Sequence, residues 1–439
     1  MRLALALLLA PSAALAQARF EVSFPAAAHA GPITGRVYVA VSRVRDTSRT
    51  PIAQTGETGA PLFGVNVSEL GPGRVAILDG TAVGHPVRRL QELPAGEYLV
   101  QPFVNVYTRF ARADGNVVWL HMDQWEGQDW KRSPGNLYGD PVRVRWDPRA
   151  RTAIRLVAGK VIPPITVPAD DERVRRFKMK SEILSRWWGQ PIYLGATVVV
   201  PKGFDAHPDA RYPVVYSHGH FSLAAPGRVG RDTAATRWWD AEGTPRMLLV
   251  TLQHPSPYYD DSYGVNSANN GPYGDAITKE LMPEVERRFR AIGRPWARLL
   301  TGGSTGGWIS LAHQVLYPDL YGGVWSLCPD AVDFRFHQIV NVYADTNAYW
   351  LNRGWTRVER PAQRRPDGNI VTMMKDENWY ELAVGDRSRS GGQWDIWEAT
   401  YGPIGTDGYP KRIWDKRTGV IDHAVASYWK EHYDLRHIL

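Results

Sequence analysis

Gly302-Gly303-Ser304-Thr305-Gly306-Gly307 is the stretch from which the fold of this chain is read. Gly302, Ser304 and Gly306 make the G-x-S-x-G pattern of a nucleophile elbow, a sharp strand-to-helix turn that lifts a serine hydroxyl clear of its surroundings. The apolar run Ala297-Arg298-Leu299-Leu300-Thr301 leads into it with the length of a short buried strand. Trp308, Leu311, Ala312, Val315 and Leu316 then recur at helical spacing, and Pro318 ends the helix. The glycines have a physical task. The turn holds the serine in a strained backbone conformation, and strand and helix pass too closely for a Cβ. The chain has 41 glycines, so the pattern alone carries little weight. Strand before and helix after give it meaning.

Outward from the elbow, strands and helices alternate. Tyr193 to Val200, Tyr212 to Tyr216 and Met247 to Leu252 read as strands, and Ile277, Leu281, Val285 and Phe289 form a helical stripe. Gly323 to Cys328 reads as a further buried strand, with Cys328, the single cysteine, as a buried and inert thiol. This alternation predicts a doubly wound, mostly parallel sheet covered on both faces. Upstream the grammar is all-β. Val37, Val39 and Val41 alternate with Tyr38 and Ala40, and Val142, Val144 and Trp146 with Arg143 and Arg145. Asp114-Gly115 between apolar runs is a hairpin signal. The predicted organisation is a signal peptide over 1–16, a β-sandwich-like domain over 17–160, a Pro-rich linker over 161–172 and an α/β domain over 173–439.

The signal reading rests on Arg2, the apolar run Leu3 to Ala10 and the small-residue site Ala14-Leu15-Ala16. It predicts export, to the medium or the periplasm. That apolar run is too short to span a membrane, and no second candidate follows it. The 439 residues carry a formal charge of +7, with basic residues spread over strands and linker and no recognition motif beside them. A solvated face accounts for them, and no nucleic-acid partner is expected. The last hundred residues hold Trp350, Trp355, Trp379, Trp394, Trp397, Trp414 and Trp429. They read as a helical cap packing aromatic rings on the sheet, with an aromatic-lined cleft as the rival.

A serine nucleophile needs a base, a group that orients the base, and donors for the oxyanion. One donor is the N–H of the residue after the nucleophile, Thr305; the other comes from the loop after the third strand. That loop is Ser217-His218-Gly219-His220-Phe221, so the second donor is the N–H of His220 or Phe221. His218-x-His220 has no further ligand at zinc-site spacing, and no metal site is expected.

Tyr212-Pro-Val-Val-Tyr-Ser-His-Gly, Lys279-Glu-Leu-Met-Pro-Glu-Val-Glu, Gly302-Gly-Ser-Thr-Gly-Gly-Trp and Tyr317-Pro-Asp-Leu-Tyr-Gly-Gly-Val-Trp-Ser together resemble the esterase D group of α/β-hydrolases. That group includes enterochelin-esterase-like, feruloyl-esterase-like and mycolyltransferase-like enzymes. The resemblance implies serine ester hydrolysis or acyl transfer with no metal or organic cofactor, with Ser304 as nucleophile. The fold class it implies is an α/β-hydrolase domain, here preceded by the N-terminal β-sandwich. Acid and histidine follow the nucleophile in such chains, and a typical member continues into two more strands bearing the acid and a Gly-His loop. Here only Asn369 to Met374 reads as a later strand, so the hydrolase domain is expected to be incomplete. Within the chain Asp330, Asp333 and Asp376 are the candidate acids and His423, His432 and His437 the candidate bases. Asp330 and His432 are the pair carried forward; His313, inside the elbow helix, is expected to point away. The predicted activity is cleavage of a small-molecule or glycan-linked carboxylic ester through an acyl-enzyme on Ser304. Its rivals are an acyltransferase, a degenerate hydrolase that only binds, and a serine peptidase.

Overall fold

The computed structural model describes residues 18–439 apart from 122–124, 126–127 and 231–232. The signal-like segment 1–16 lies outside the described residues.

Two sheets make the N-terminal region. Arg19–Ser23 pairs parallel with Ala153–Val157 and antiparallel with Ala76–Leu78. The larger sheet is built on two long antiparallel strands, Ile33–Arg43 and Gly96–Ala111. Val37, Val39 and Val41 alternate into one core with Phe20, Val22, Leu78 and Leu156 from the smaller sheet. Trp146 stacks on Phe20 at 5.0 Å and closes that core. Asp114 and Gly115 turn a hairpin between Gly96–Ala111 and Val117–His121, and Gly115 takes the positive φ of 86° that the turn requires.

The C-terminal sheet has six strands: β1 Val174–Ser181, β2 Ile192–Val199, β3 Val214–His218, β4 Leu248–Gln253, β5 Arg298–Ser304 and β6 Gly323–Pro329. Their order is β1-β2-β4-β3-β5-β6. The first two pairings are antiparallel, and β4-β3, β3-β5 and β5-β6 are parallel. Parallel neighbours need crossovers. Thr233–Asp240 supplies the first, the helical run from Tyr273 to Arg288 the second, and α1, Thr305–Leu316, the third. β2 and β4 are covered on both faces, which is why they read as nearly unbroken apolar runs.

β6 departs from the sequence reading. It is the outermost strand, and Trp325 and Leu327 are each 58% exposed. Cys328 is exposed too, not buried. A strand of core composition is not a core strand when only one neighbour covers it. Asn369 to Met374 also differs: Ile370–Met373 pairs only with Pro361–Arg364, in a two-stranded hairpin outside the main sheet.

The Trp-rich region splits. Trp355 is fully exposed at a hairpin tip, whereas Trp394, Trp397, Trp414 and Trp429 are buried. They surround His337, whose ring lies 4.6 Å from that of Trp397 and 5.2 Å from that of Trp429. Three further helices carry this region: α2 Met374–Val384, α3 Gln393–Tyr401 and α4 His423–Tyr433. The two regions are bolted together through α2, where Arg36 donates to the Ala383 carbonyl at 2.9 Å and Tyr38 to that of Val384 at 2.5 Å.

Burial holds several histidines neutral, His254, His313 and His337 among them. It pushes the pKa of His254 and His337 down to about 3 and of His313 to about 4. In the unfolded chain each titrates near 6.5, so below that pH the unfolded state binds more protons. The resulting loss of stability begins below about pH 6.5 and runs down towards the folded values. Urea unfolding at pH 7, 6 and 5 should show a steep fall in stability, shallower in His337→Phe. A flat profile from pH 7 to 5 would show that these rings are not held neutral.

Candidate functional site

Ser304 ends β5 and caps α1, with φ 54° and ψ −123°, a backbone conformation rarely held without support from its surroundings. Two glycines supply the room. A Cβ on Gly306 would lie 2.0 Å from the His218 carbonyl oxygen at the end of β3, and one on Gly302 2.3 Å from that of Gly306. Neither position admits a side chain. The Ser304 side chain is left exposed at the C-terminal end of the parallel strands.

Asp330 follows β6 directly and meets this serine. Ser304 Oγ donates to Asp330 Oδ1 at 3.3 Å, long for an O–H···O bond, and the Asp330 N–H donates to the Ser304 carbonyl at 3.2 Å. Oδ2 of the same carboxylate accepts from Tyr263 Oη at 2.6 Å, Thr305 Oγ1 at 3.0 Å and Gln393 Nε2 at 3.3 Å. The donors are themselves anchored. Trp397 Nε1 donates to Tyr263 Oη at 2.6 Å, and Tyr259 Oη to Gln393 Oε1 at 2.8 Å. Gln393 and Trp397 stand one turn apart on α3 and so share a face. Burial, and the Asp330 charge after it, raise the Tyr263 phenol well above its ordinary pKa, so it remains a donor.

Of the oxyanion donors expected from sequence, Thr305 directly follows the serine and His220 follows Gly219, which packs against the elbow. Thr305 opens α1, where first-turn N–H groups have no intrahelical acceptor. Gly219, next to His220, packs on Gly306: its Cα would lie 3.1 Å from a Cβ there. The His220 side chain turns to the loop after β4, with Nδ1 2.9 Å from Asp260 Oδ1 and 3.3 Å from Asp261 Oδ2. The hydrogen bond to Asp260, and then the facing Asp261 carboxylate, raise its pKa to about 11.

The histidine half of the expected pair is not assembled. His432 lies on α4, stacks on Tyr428 at 4.1 Å and donates from Nδ1 to the Tyr428 carbonyl. His437 pairs with Glu431, and His423 opens α4. His313 is buried between Tyr321 and the Gly264 carbonyl, away from the serine hydroxyl. Among the described residues no histidine is hydrogen-bonded to Ser304 or Asp330. The other candidate acids are engaged elsewhere, Asp333 with Arg335 and Arg436 and Asp376 with Arg88. Tyr259, Tyr263, Gln393 and Trp397 escaped the sequence reading because nothing local ties residues more than a hundred positions apart to one carboxylate.

Residues 194–390 match the model of a family described as "Putative esterase". The resemblance to esterases is therefore shown over that stretch. Among solved structures, a ferulic acid esterase is similar at 21% identity over 36% of this chain and 59% of its own, with a TM-score of 0.30. FphF, a fluorophosphonate-binding serine hydrolase of Staphylococcus aureus, is 14% identical over 37% of this chain and 60% of its own, TM-score 0.27. The ferulic acid esterase AmCE1/Fae1A of Anaeromyces mucronatus is 22% identical over 38% and 62%, TM-score 0.26. The chain thus spans about three fifths of the length of these esterase structures. No curated protein matches it. With likenesses of this size, the fold is read from the chain's own strand order and elbow.

Proposed function

We propose that this chain is a serine hydrolase of carboxylic esters with Ser304 as nucleophile. One observation carries the reading: an exposed hydroxyl on a strained elbow, bonded to a carboxylate that three other side chains hold in place. Ser304 Oγ attacks the ester carbonyl carbon while its proton passes towards Asp330 Oδ1. The N–H groups of Thr305 and of His220 or Phe221 receive the oxyanion. The bond to the alcohol breaks as the intermediate collapses, and the alcohol leaves with the proton. Water then attacks the acyl-enzyme by the same route and releases the acid. A carboxylate is a weaker base towards an alcohol than the imidazole of a full triad, so turnover with Asp330 as the proton acceptor is slow. The substrate class is a small-molecule or glycan-linked ester. With residues 1–16 as an export signal, the mature chain acts in the medium or the periplasm.

Hydrolysis of p-nitrophenyl acetate tests the role of the carboxylate. Asp330→Asn keeps the shape and the Tyr263 contact but cannot accept the proton, and the rate should fall roughly 10²- to 10⁴-fold. An unchanged rate removes Asp330 from the reaction. A second reading, in which the elbow binds an ester or glycan without turning it over, is favoured by the lack of a histidine bonded to Ser304 among the described residues. No release of nitrophenol above buffer from the wild type would select it.

A further inference from the structure

We propose that His220, Asp260 and Asp261 form a binding site for a divalent first-row transition cation on the loops beside the Ser304 elbow. The donors come from two loops at the same end of the sheet, His220 after β3 and the aspartates after β4. Their ligand atoms all lie within 4.8 Å of one another. Metal–donor bonds of about 2.0–2.2 Å meeting near a right angle place neighbouring donors about 3 Å apart. The separations from Nδ1, 2.9 Å to Asp260 Oδ1 and 3.3 Å to Asp261 Oδ2, are of that size.

As an ion pair the trio leaves one hydrogen-bonding position unused. One Nδ1 proton serves one acceptor, and it goes to Asp260. Asp261 is 1% exposed, and its Oδ1 accepts the Tyr263 N–H at 2.8 Å. Its Oδ2 is buried, accepts no hydrogen bond and meets Nδ1 only as an ion pair at 3.3 Å. A buried carboxylate oxygen in that state is costly. A cation in place of the Nδ1 proton satisfies both carboxylates at once, and two negative charges match a dication. The His220 and Asp260 side chains are 47% and 24% exposed, which leaves a way in and an open side. The trio is linked to the Asp330 network: Tyr259 packs edge-on against His220 at 5.6 Å while its hydroxyl donates to Gln393, a donor to Asp330. Three protein donors on one side leave coordination positions free for water or a substrate oxygen.

The test uses the whole chain, stripped with EDTA and dialysed, titrated with Mn²⁺ while the EPR signal of the free ion is followed. One Mn²⁺ should bind per chain, and Zn²⁺ should displace it. Asp260→Asn, at the exposed position, and His220→Ala should each weaken binding at least about tenfold with circular dichroism unchanged; Asp261→Asn should do the same if it folds. Binding that is absent, or equal in wild type, Asp260→Asn and His220→Ala, overturns the site and leaves the trio as an ion pair closing two loops.

Discussion

Ser304→Ala is expected to abolish covalent labelling by a fluorophosphonate and to remove the acyl-enzyme route of ester turnover, leaving only what the oxyanion donors and binding supply. The reason is local. The elbow gives Ser304 a backbone conformation, at φ 54° and ψ −123°, that presents its hydroxyl beside Asp330, and no neighbour offers an equivalent. Thr305 cannot take over. It is buried, and its hydroxyl is committed to Asp330 Oδ2. Alanine removes one exposed oxygen and no core contact, so unfolding should be unchanged while labelling disappears. Labelling that persists in the variant would move the nucleophile elsewhere. A wild type that never labels would mean the hydroxyl is not activated within these residues, and binding would become the leading account.

Lys416→Met is expected to cost about 3–5 kcal/mol of stability, as the breaking of a buried ion network does. The Lys416 side chain has no exposure. Its ammonium donates to Glu381 at 2.8 Å and to Asp395, and lies 4.0 Å from Glu398. Burial pulls that ammonium towards neutrality, but the three carboxylates outweigh it and hold it charged. Arg412, 3.7 Å from Glu398, is the remaining cation. Without Lys416, three buried carboxylates face one guanidinium. The consequence reaches the site, because Glu381 caps α3: its two oxygens accept the N–H groups of Trp394 and Asp395, each at 2.9 Å. α3 also carries Gln393 and Trp397, which hold Asp330 and Tyr263. Chemical denaturation should report the lost stability, and fluorophosphonate labelling should slow in the still-folded fraction. A stability within 1 kcal/mol of wild type would show that the carboxylates share protons and do not depend on Lys416.

The elbow was legible because its physics is local. Gly302 and Gly306 are dictated by backbone atoms only a few residues or one strand away, and the flanking periods are those of strand and helix. The alternation of Val37, Val39 and Val41 likewise follows from one strand having one buried face. β6 was misread for the converse reason. Composition reports what a strand could bury, but exposure depends on which strands lie beside it, and Trp325, Leu327 and Cys328 lie on the outermost one. His432 was chosen by chain order, whereas its position is set by stacking within α4.

The sequence by itself determined the elbow, its serine and the alternation of strands and helices around them, because these periods and turns are set by neighbours within a turn or a strand. Only the tertiary structure decided what faces that serine. Asp330 is held by Tyr263, Thr305 and Gln393, and His220 meets Asp260 and Asp261 across 40 residues, because hydrogen bonds and ion pairs act over about 3 Å of space and are blind to separation along the chain.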